Sequence, residues 1–176
     1  HCAHCFIPNN PKRMRWSDIE AIPSRVRSFA APGQVLLFQF HGGEPTLVGV
    51  EFMRRVCVFL RESLDDFTVR FSIQTNLINF DLRWAELYRE FFDSQVGVSW
   101  DQGIRLMRKD RPETNAEFER VFWTHVVELQ RIGISPYMVI TTTKPLIEQF
   151  RNPRDLIDYK KEKGIRLVHF ERLTKT

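Results

Sequence analysis

Segments rich in β-branched and aromatic residues alternate with helically patterned segments along the chain, and this alternation limits the fold more than any other feature. Strands are predicted at Val35–Phe40, Phe67–Ile73, Val96–Trp100, Tyr137–Thr142 and Ile165–Phe170. Several are apolar almost throughout, the pattern of a parallel sheet covered by helices. Between them, Phe52, Val56, Phe59, Leu60 and Leu64 recur at helical spacing, as do Phe118, Val121, Phe122, Val126, Leu129 and Ile132. Ser17-Asp18-Ile19-Glu20 and Thr114-Asn115-Ala116-Glu117 match the capping box, and each is expected to precede a helix. Gly133 and Gly164 are expected to end helices in a left-handed conformation. Every gap is long enough for the crossover helix that parallel neighbours need.

Repeated strand–helix units build either an open doubly wound sheet or a barrel. The nucleotide fingerprint of the open sheet is missing, because neither G-x-G-x-x-G nor G-x-x-x-x-G-K follows a strand. A barrel is favoured by where the unusual residues fall. His41-Gly42-Gly43-Glu44-Pro45, Gln74-Thr75-Asn76, Ser99 to Asp101, Thr141-Thr142-Thr143 and Glu171-Arg172 each sit at the exit of a successive strand. In a parallel barrel these exits share one rim, the rim that carries active sites.

The chain has 176 residues, 43% hydrophobic and 27% charged, which excludes a disordered chain, a collagen-like repeat and a coiled coil. No apolar run approaches the roughly 18–20 residues of a membrane span, so a soluble domain is expected. A net charge of +4 allows an anionic ligand, while no basic block calls for nucleic acid. Three cysteines cannot build a disulfide framework, and a reducing, cytoplasmic setting follows as the expectation. The chain opens on His1 within a cysteine motif and therefore reads as a segment of a longer protein.

Cys2-Ala3-His4-Cys5-Phe6 is a C-x-x-C followed by an aromatic residue. Two thiolates at this spacing can grip one metal centre from a single turn. Zinc, a redox dithiol and a chance pair at a frayed terminus are the alternatives. Gly42-Gly43-Glu44-Pro45 lies beyond it, after a buried strand. The two motifs in this order resemble the radical S-adenosylmethionine (SAM) enzyme family.

That resemblance covers essentially the whole chain and implies a partial (β/α)6 TIM-like barrel of parallel strands, with residues 1–176 as its core domain. The first strand, the first cysteine of C-x-x-x-C-x-x-C and any C-terminal extension would lie outside it, so the isolated chain is expected to be inactive. In this family the three cysteines hold a [4Fe–4S] cluster, and Cys2 and Cys5 match the second and third. SAM chelates the cluster iron and is cleaved reductively to methionine and a 5′-deoxyadenosyl radical, which takes a hydrogen from the substrate. An electron donor such as flavodoxin or ferredoxin is implied.

The run through Gln74, Asn76, Ser99, Asp101 and Arg108 to Pro112 is similar to the peptide-modifying branch, which includes sulfatase-maturing enzymes and often carries a SPASM or twitch extension. A peptide or protein substrate is the implied partner. By the same resemblance Gly42, Gly43, Glu44 and Pro45 bind the SAM amine, Ser99 the ribose or carboxylate, and Arg111 the carboxylate. Gln74 and Asn76 line the site, and Asp101 belongs to the matching S-x-D motif. Two departures stand out: Trp100 replaces the usual aliphatic residue, and Gln102 separates Asp101 from Gly103. They motivate a second expectation, a degenerate barrel acting as a peptide-binding scaffold; a zinc-binding interaction domain is the third. Cys57 and His125 fall on helix stripes and read as core residues.

Overall fold

The computed structural model of the chain describes residues 14–101, 105–107, 111 and 114–172. Cys2 and Cys5, and with them the metal-binding expectation, lie outside the described residues. In chain order the elements are α1 (Trp16–Glu20), α2 (Ile22–Arg27), β1 (Val35–Phe40), a 3-10 turn (Pro45–Val48), α3 (Val50–Ser63), β2 (Thr68–Thr75), α4 (Leu82–Phe91), β3 (Gln95–Ser99), α5 (Asn115–Arg131), β4 (Ser135–Thr142), α6 (Lys144–Gln149), α7 (Pro153–Glu162) and β5 (Val168–Arg172). Among the described residues the strands form one parallel sheet in sequence order, β1-β2-β3-β4-β5, curled into a half-barrel. No described helix is long and apolar enough to cross a membrane.

Register explains how these sequences make a two-faced sheet. Gln74 pairs with Gly97 and Gly97 with Tyr137, while Ser99 pairs with Val139 and Val139 with His169. Side chains alternate along each strand, so these residues and their i±2 neighbours share the concave face. The opposite face holds Phe71, Ile73, Val96, Val98, Met138 and Ile140, all buried in the core under the helices. Phe71 sits at its aromatic centre, with Phe38, Phe40, Phe91 and Phe92 at centroid distances of 6.0 to 6.2 Å. Cys57 is part of this core, and burial pushes its thiol up to about 12. Polar residues are thus concentrated on the concave face, the reverse of a closed barrel packed with branched aliphatics.

Several boundaries differ from expectation. The last strand starts at Val168 rather than Ile165, because the Ile165 N–H closes onto the Lys160 carbonyl at 3.0 Å and its side chain packs in the core. Gln74 and Thr75 lie inside β2 rather than beyond it. Ser17 lies within α1: Arg15 is the cap, and its N–H donates to Asp18 at 2.9 Å. Thr114 caps α5 by position, yet with ψ at 2° its hydroxyl donates backward to the Arg111 carbonyl instead of receiving a helix N–H. Gly133 and Gly164 have φ of 80° and 70°, as expected of helix-ending glycines.

Candidate functional site

The exit of β1 is a glycine turn whose end is a held carboxylate. Gly42 and Gly43 take φ of 90° and 57°, values that favour residues without a Cβ. Both are solvent-exposed, so a ligand could approach their backbone. Glu44 follows in extended conformation and caps the 3-10 turn that Pro45 begins. Its Oε1 accepts from the Thr46 N–H at 3.2 Å, the Thr46 hydroxyl at 2.8 Å and the Thr75 hydroxyl at 2.7 Å. Its Oε2 accepts from the Asn76 N–H at 2.8 Å. A carboxylate oxygen has about two acceptor positions, so Oε2 retains one for a cationic donor. Asn76 Oδ1 accepts from the Ile78 N–H at 2.9 Å, and its Nδ2 has two protons to donate.

Across the concave face Gln74 donates from Nε2 to the Ser99 hydroxyl at 2.6 Å. Gln74 is 6% exposed, and the side chain can lie over β3 because Gly97 leaves room. A Cβ built on Gly97 would stand 2.7 Å from Tyr137 Oη and 2.8 Å from the Ile73 carbonyl, and would collide with Gln74 Oε1. The glycine is therefore the gap into which the side-chain ends of Gln74 and Tyr137 both reach. The Ser99 hydroxyl, accepting from Gln74, still has its own proton to donate.

The residues after Ser99 behave differently. Trp100 is fully buried on the helix-facing side, its Nε1 donating to Glu119 Oε2 at 2.9 Å and its ring packed on Trp123 and Tyr159. Glu119 also accepts from Trp123, and burial holds its carboxyl above the usual carboxylate range. The unusual tryptophan thus leaves Ser99 on the concave face. Asp101 is 2% exposed; its Oδ1 accepts from the Thr141 N–H at 2.9 Å and its Oδ2 pairs with the Arg105 guanidinium at 2.6 and 2.7 Å. Asp101 therefore ties the β3 exit to β4 instead of presenting a free carboxylate. The Arg105 carbonyl in turn accepts from Asn115 at the start of α5. Arg111 is exposed, and its carbonyl accepts both the Thr114 N–H and hydroxyl.

Between the two ends of the sheet lies a cavity of about 560 Å³ lined by Gln39, His41, Gln74, Tyr137, His169 and Glu171, among others. That volume lies in the range of small-molecule sites. Gln74 is expected here from sequence as a site residue, and His41 and Glu171 as strand-exit residues of the rim; Gln39, Tyr137 and His169 carry no motif that marks them. Two signals could have found them: the lone Gly97 in an apolar strand, and polar residues at alternating positions of β1, β4 and β5. Nothing in the linear sequence marks Arg105, whose guanidinium meets the buried Asp101 carboxylate in the fold.

A family model described as the Radical SAM superfamily matches residues 1–143. The cysteine-type anaerobic sulfatase-maturating enzyme of Clostridium novyi (strain NT) is 31% identical over 151 residues, covering 80% of this chain and 39% of that protein. A serine-type anaerobic sulfatase-maturating enzyme of Klebsiella aerogenes is 26% identical over 117 residues, 64% of this chain and 29% of its own length. Among solved structures, native anSMEcpe with bound AdoMet and Cp18Cys peptide superposes with a TM-score of 0.75 at 25% identity, over 98% of this chain and 46% of that one. The chain thus spans less than half the length of these relatives.

Proposed function

The chain belongs to the radical SAM superfamily, whose members use a [4Fe–4S] cluster and SAM, and from that premise we propose that it is the SAM-cleaving core of an enzyme that modifies a peptide or protein side chain. One observation carries the reading. The Gly42–Glu44 turn, the Gln74–Ser99 pair and the polar cavity occupy one mouth of the half-barrel, held together by Glu44 accepting from the β2 exit.

The described residues offer partners for the ammonium, the carboxylate and the ribose of SAM. The open acceptor position on Glu44 Oε2 suits its ammonium, and the exposed Gly42–Gly43 backbone admits close approach beside it. Ser99 offers its hydroxyl proton to a ribose or carboxylate oxygen, oriented by Gln74. Arg111 offers paired donors to the carboxylate. Pro45 fixes the turn and Asn76 contributes through its backbone N–H. Asp101 acts here as a brace with Arg105, a role other than the cofactor contact expected from sequence. Cys2 and Cys5 would supply two of the three thiolates that hold the cluster. When bound, the cluster and SAM supply one-electron cleavage of the S–C5′ bond and a 5′-deoxyadenosyl radical that abstracts hydrogen. The cavity beside Tyr137 and His169 receives the substrate side chain. A flavodoxin or ferredoxin supplies the electron, in the reducing cytoplasm. The Trp100 departure lends the scaffold alternative little support, since that ring lies on the helix-facing side.

The test uses the intact protein, reconstituted with iron and sulfide without oxygen. It should take up iron and form 5′-deoxyadenosine when reduced, and Cys2→Ala or Cys5→Ala should abolish 5′-deoxyadenosine formation and lower the iron content. Glu44→Gln should weaken SAM binding about 10- to 100-fold, the value of one charge-assisted hydrogen bond. A protein that binds iron yet neither binds nor cleaves SAM would refute the reading.

A further inference from the structure

The carboxylate of Glu44 is placed by Thr46 and by the turn that leaves β2, and that turn draws on a helix residue as well as on its own hydrogen bonds. Thr75 Oγ1 donates to Glu44 and accepts from the Leu77 N–H at 3.1 Å, so the two contacts are linked. Leu77 has φ of 61°, a left-handed conformation that costs a residue with a Cβ on the order of 1 kcal/mol. Its side chain is 1% exposed, which locks it in the core. Its carbonyl accepts twice, from the Phe80 N–H at 3.2 Å and from His125 Nδ1 at 2.7 Å.

His125 comes from α5 and reaches across 48 positions of sequence. Its ring stands edge-on to Phe80 at 5.6 Å, which fixes the plane of the imidazole. A carbonyl oxygen has no proton to give, so Nδ1 carries the hydrogen. The bond spans from the helix layer to the segment whose Thr75 hydroxyl and Asn76 N–H hold the Glu44 carboxylate in addition to its Thr46 contacts.

We propose that His125 is a positioning residue for the SAM site: by donating from Nδ1 to the strained Leu77 carbonyl, it holds Thr75 and Asn76 where they aim Glu44. The inference rests on the reading that Glu44 receives SAM. It goes beyond that reading by assigning part of the affinity to a helix residue that meets no ligand.

Asparagine places an amide N–H where histidine has Nδ1, while glutamine places one near Nε2, so the pair of variants separates this bond from simple packing. In the cluster-free intact protein, His125 should show a protonated Nδ1 by nitrogen-15 correlation. His125→Ala and His125→Gln should speed amide exchange at Asn76 and Leu77 about tenfold and raise the SAM dissociation constant of the reconstituted protein about fivefold, the effect of one hydrogen bond. His125→Asn should restore both. Unchanged exchange and unchanged SAM affinity in His125→Ala overturn the inference, as does equal behaviour of the Asn and Gln variants. Glu44→Ala is the control. If it weakens SAM binding while His125→Ala does not, this inference alone fails; if it binds SAM as the parent does, the reading beneath fails too.

Discussion

Replacing Gly97 by Ala is the smallest change that bears on the whole concave face. The new methyl carbon would lie 2.7 Å from Tyr137 Oη and 2.8 Å from the Ile73 carbonyl, and would overlap Gln74 Oε1. Two of these neighbours are side-chain ends and can swing away. The Ile73 carbonyl belongs to β2 and moves only if the strands part. Overpacking of this kind costs about 1–3 kcal/mol. Displacing Gln74 also breaks its 2.6 Å bond to Ser99, worth about 1 kcal/mol. Against this, Ala restricts the unfolded chain by roughly 0.4–1 kcal/mol in favour of folding. The net expectation is a loss of about 1–3 kcal/mol, at roughly 2–4 °C of Tm per kcal/mol for a chain of this size. Urea unfolding of the intact protein measures it, and SAM titration should show weaker binding because Ser99 loses its orienting partner. Adding Gln74→Ala to the variant should recover part of the stability and none of the SAM affinity. A Gly97→Ala protein with parental Tm and parental SAM affinity would show that the close approach of β2 and β3 is not a real constraint.

Lys160 and the Asp101–Arg105 pair yield two further expectations. Lys160 is 2% exposed, its Nζ finds no hydrogen-bond partner among the described residues, and burial lowers its ammonium to about 7. Lys160→Met should therefore stabilise the fold by about 1–3 kcal/mol at neutral pH, read as a higher Tm. The folded pKa lies below the unfolded value of about 10.4, so the unfolded chain binds more protons between the two. Parental stability should rise with pH across that window and stay flat below it, and the Met variant should lack this slope. Arg105→Met leaves the buried Asp101 carboxylate without its guanidinium and should cost about 2–4 kcal/mol. Asp101→Asn in the same chain should cost less than the sum of the single changes, with a coupling above about 1 kcal/mol in a urea double-mutant cycle. Strict additivity would mean that the pair contributes nothing as a pair.

The glycine turn with Glu44 was legible because it is local: a Gly-Gly-Glu-Pro run after an apolar strand reads the same with or without the rest of the chain. The place of Ser99 at the exit of its strand was legible for the same reason. The contacts of Asp101 were not, because they depend on Thr141 and Arg105, and neither contact is written in adjacent residues. The departure at Trp100 looked like a disturbance of the site in one dimension. Strand alternation turns the ring to the opposite face from Ser99, where Glu119, Trp123 and Tyr159 receive it. His125 read as a core histidine; it is half-buried, and its partner is the carbonyl of Leu77, on the turn that holds Glu44.

The order of strands and helices, the parallel pairing and the family follow from residues close together in the chain. Periodicity reports which face of an element is apolar, and short motifs carry their chemistry at fixed spacing. Which strand exits meet, which carboxylate stays available and which is consumed were decided by the closing of the sheet. Glu44 and Asp101 are chemically alike; the neighbours that assembly brings within hydrogen-bond range leave one with an open acceptor position and bury the other under an arginine. Contacts between residues far apart in sequence exist once the chain has committed its conformational entropy to one topology, so a linear reading can name the participants without assigning their partners.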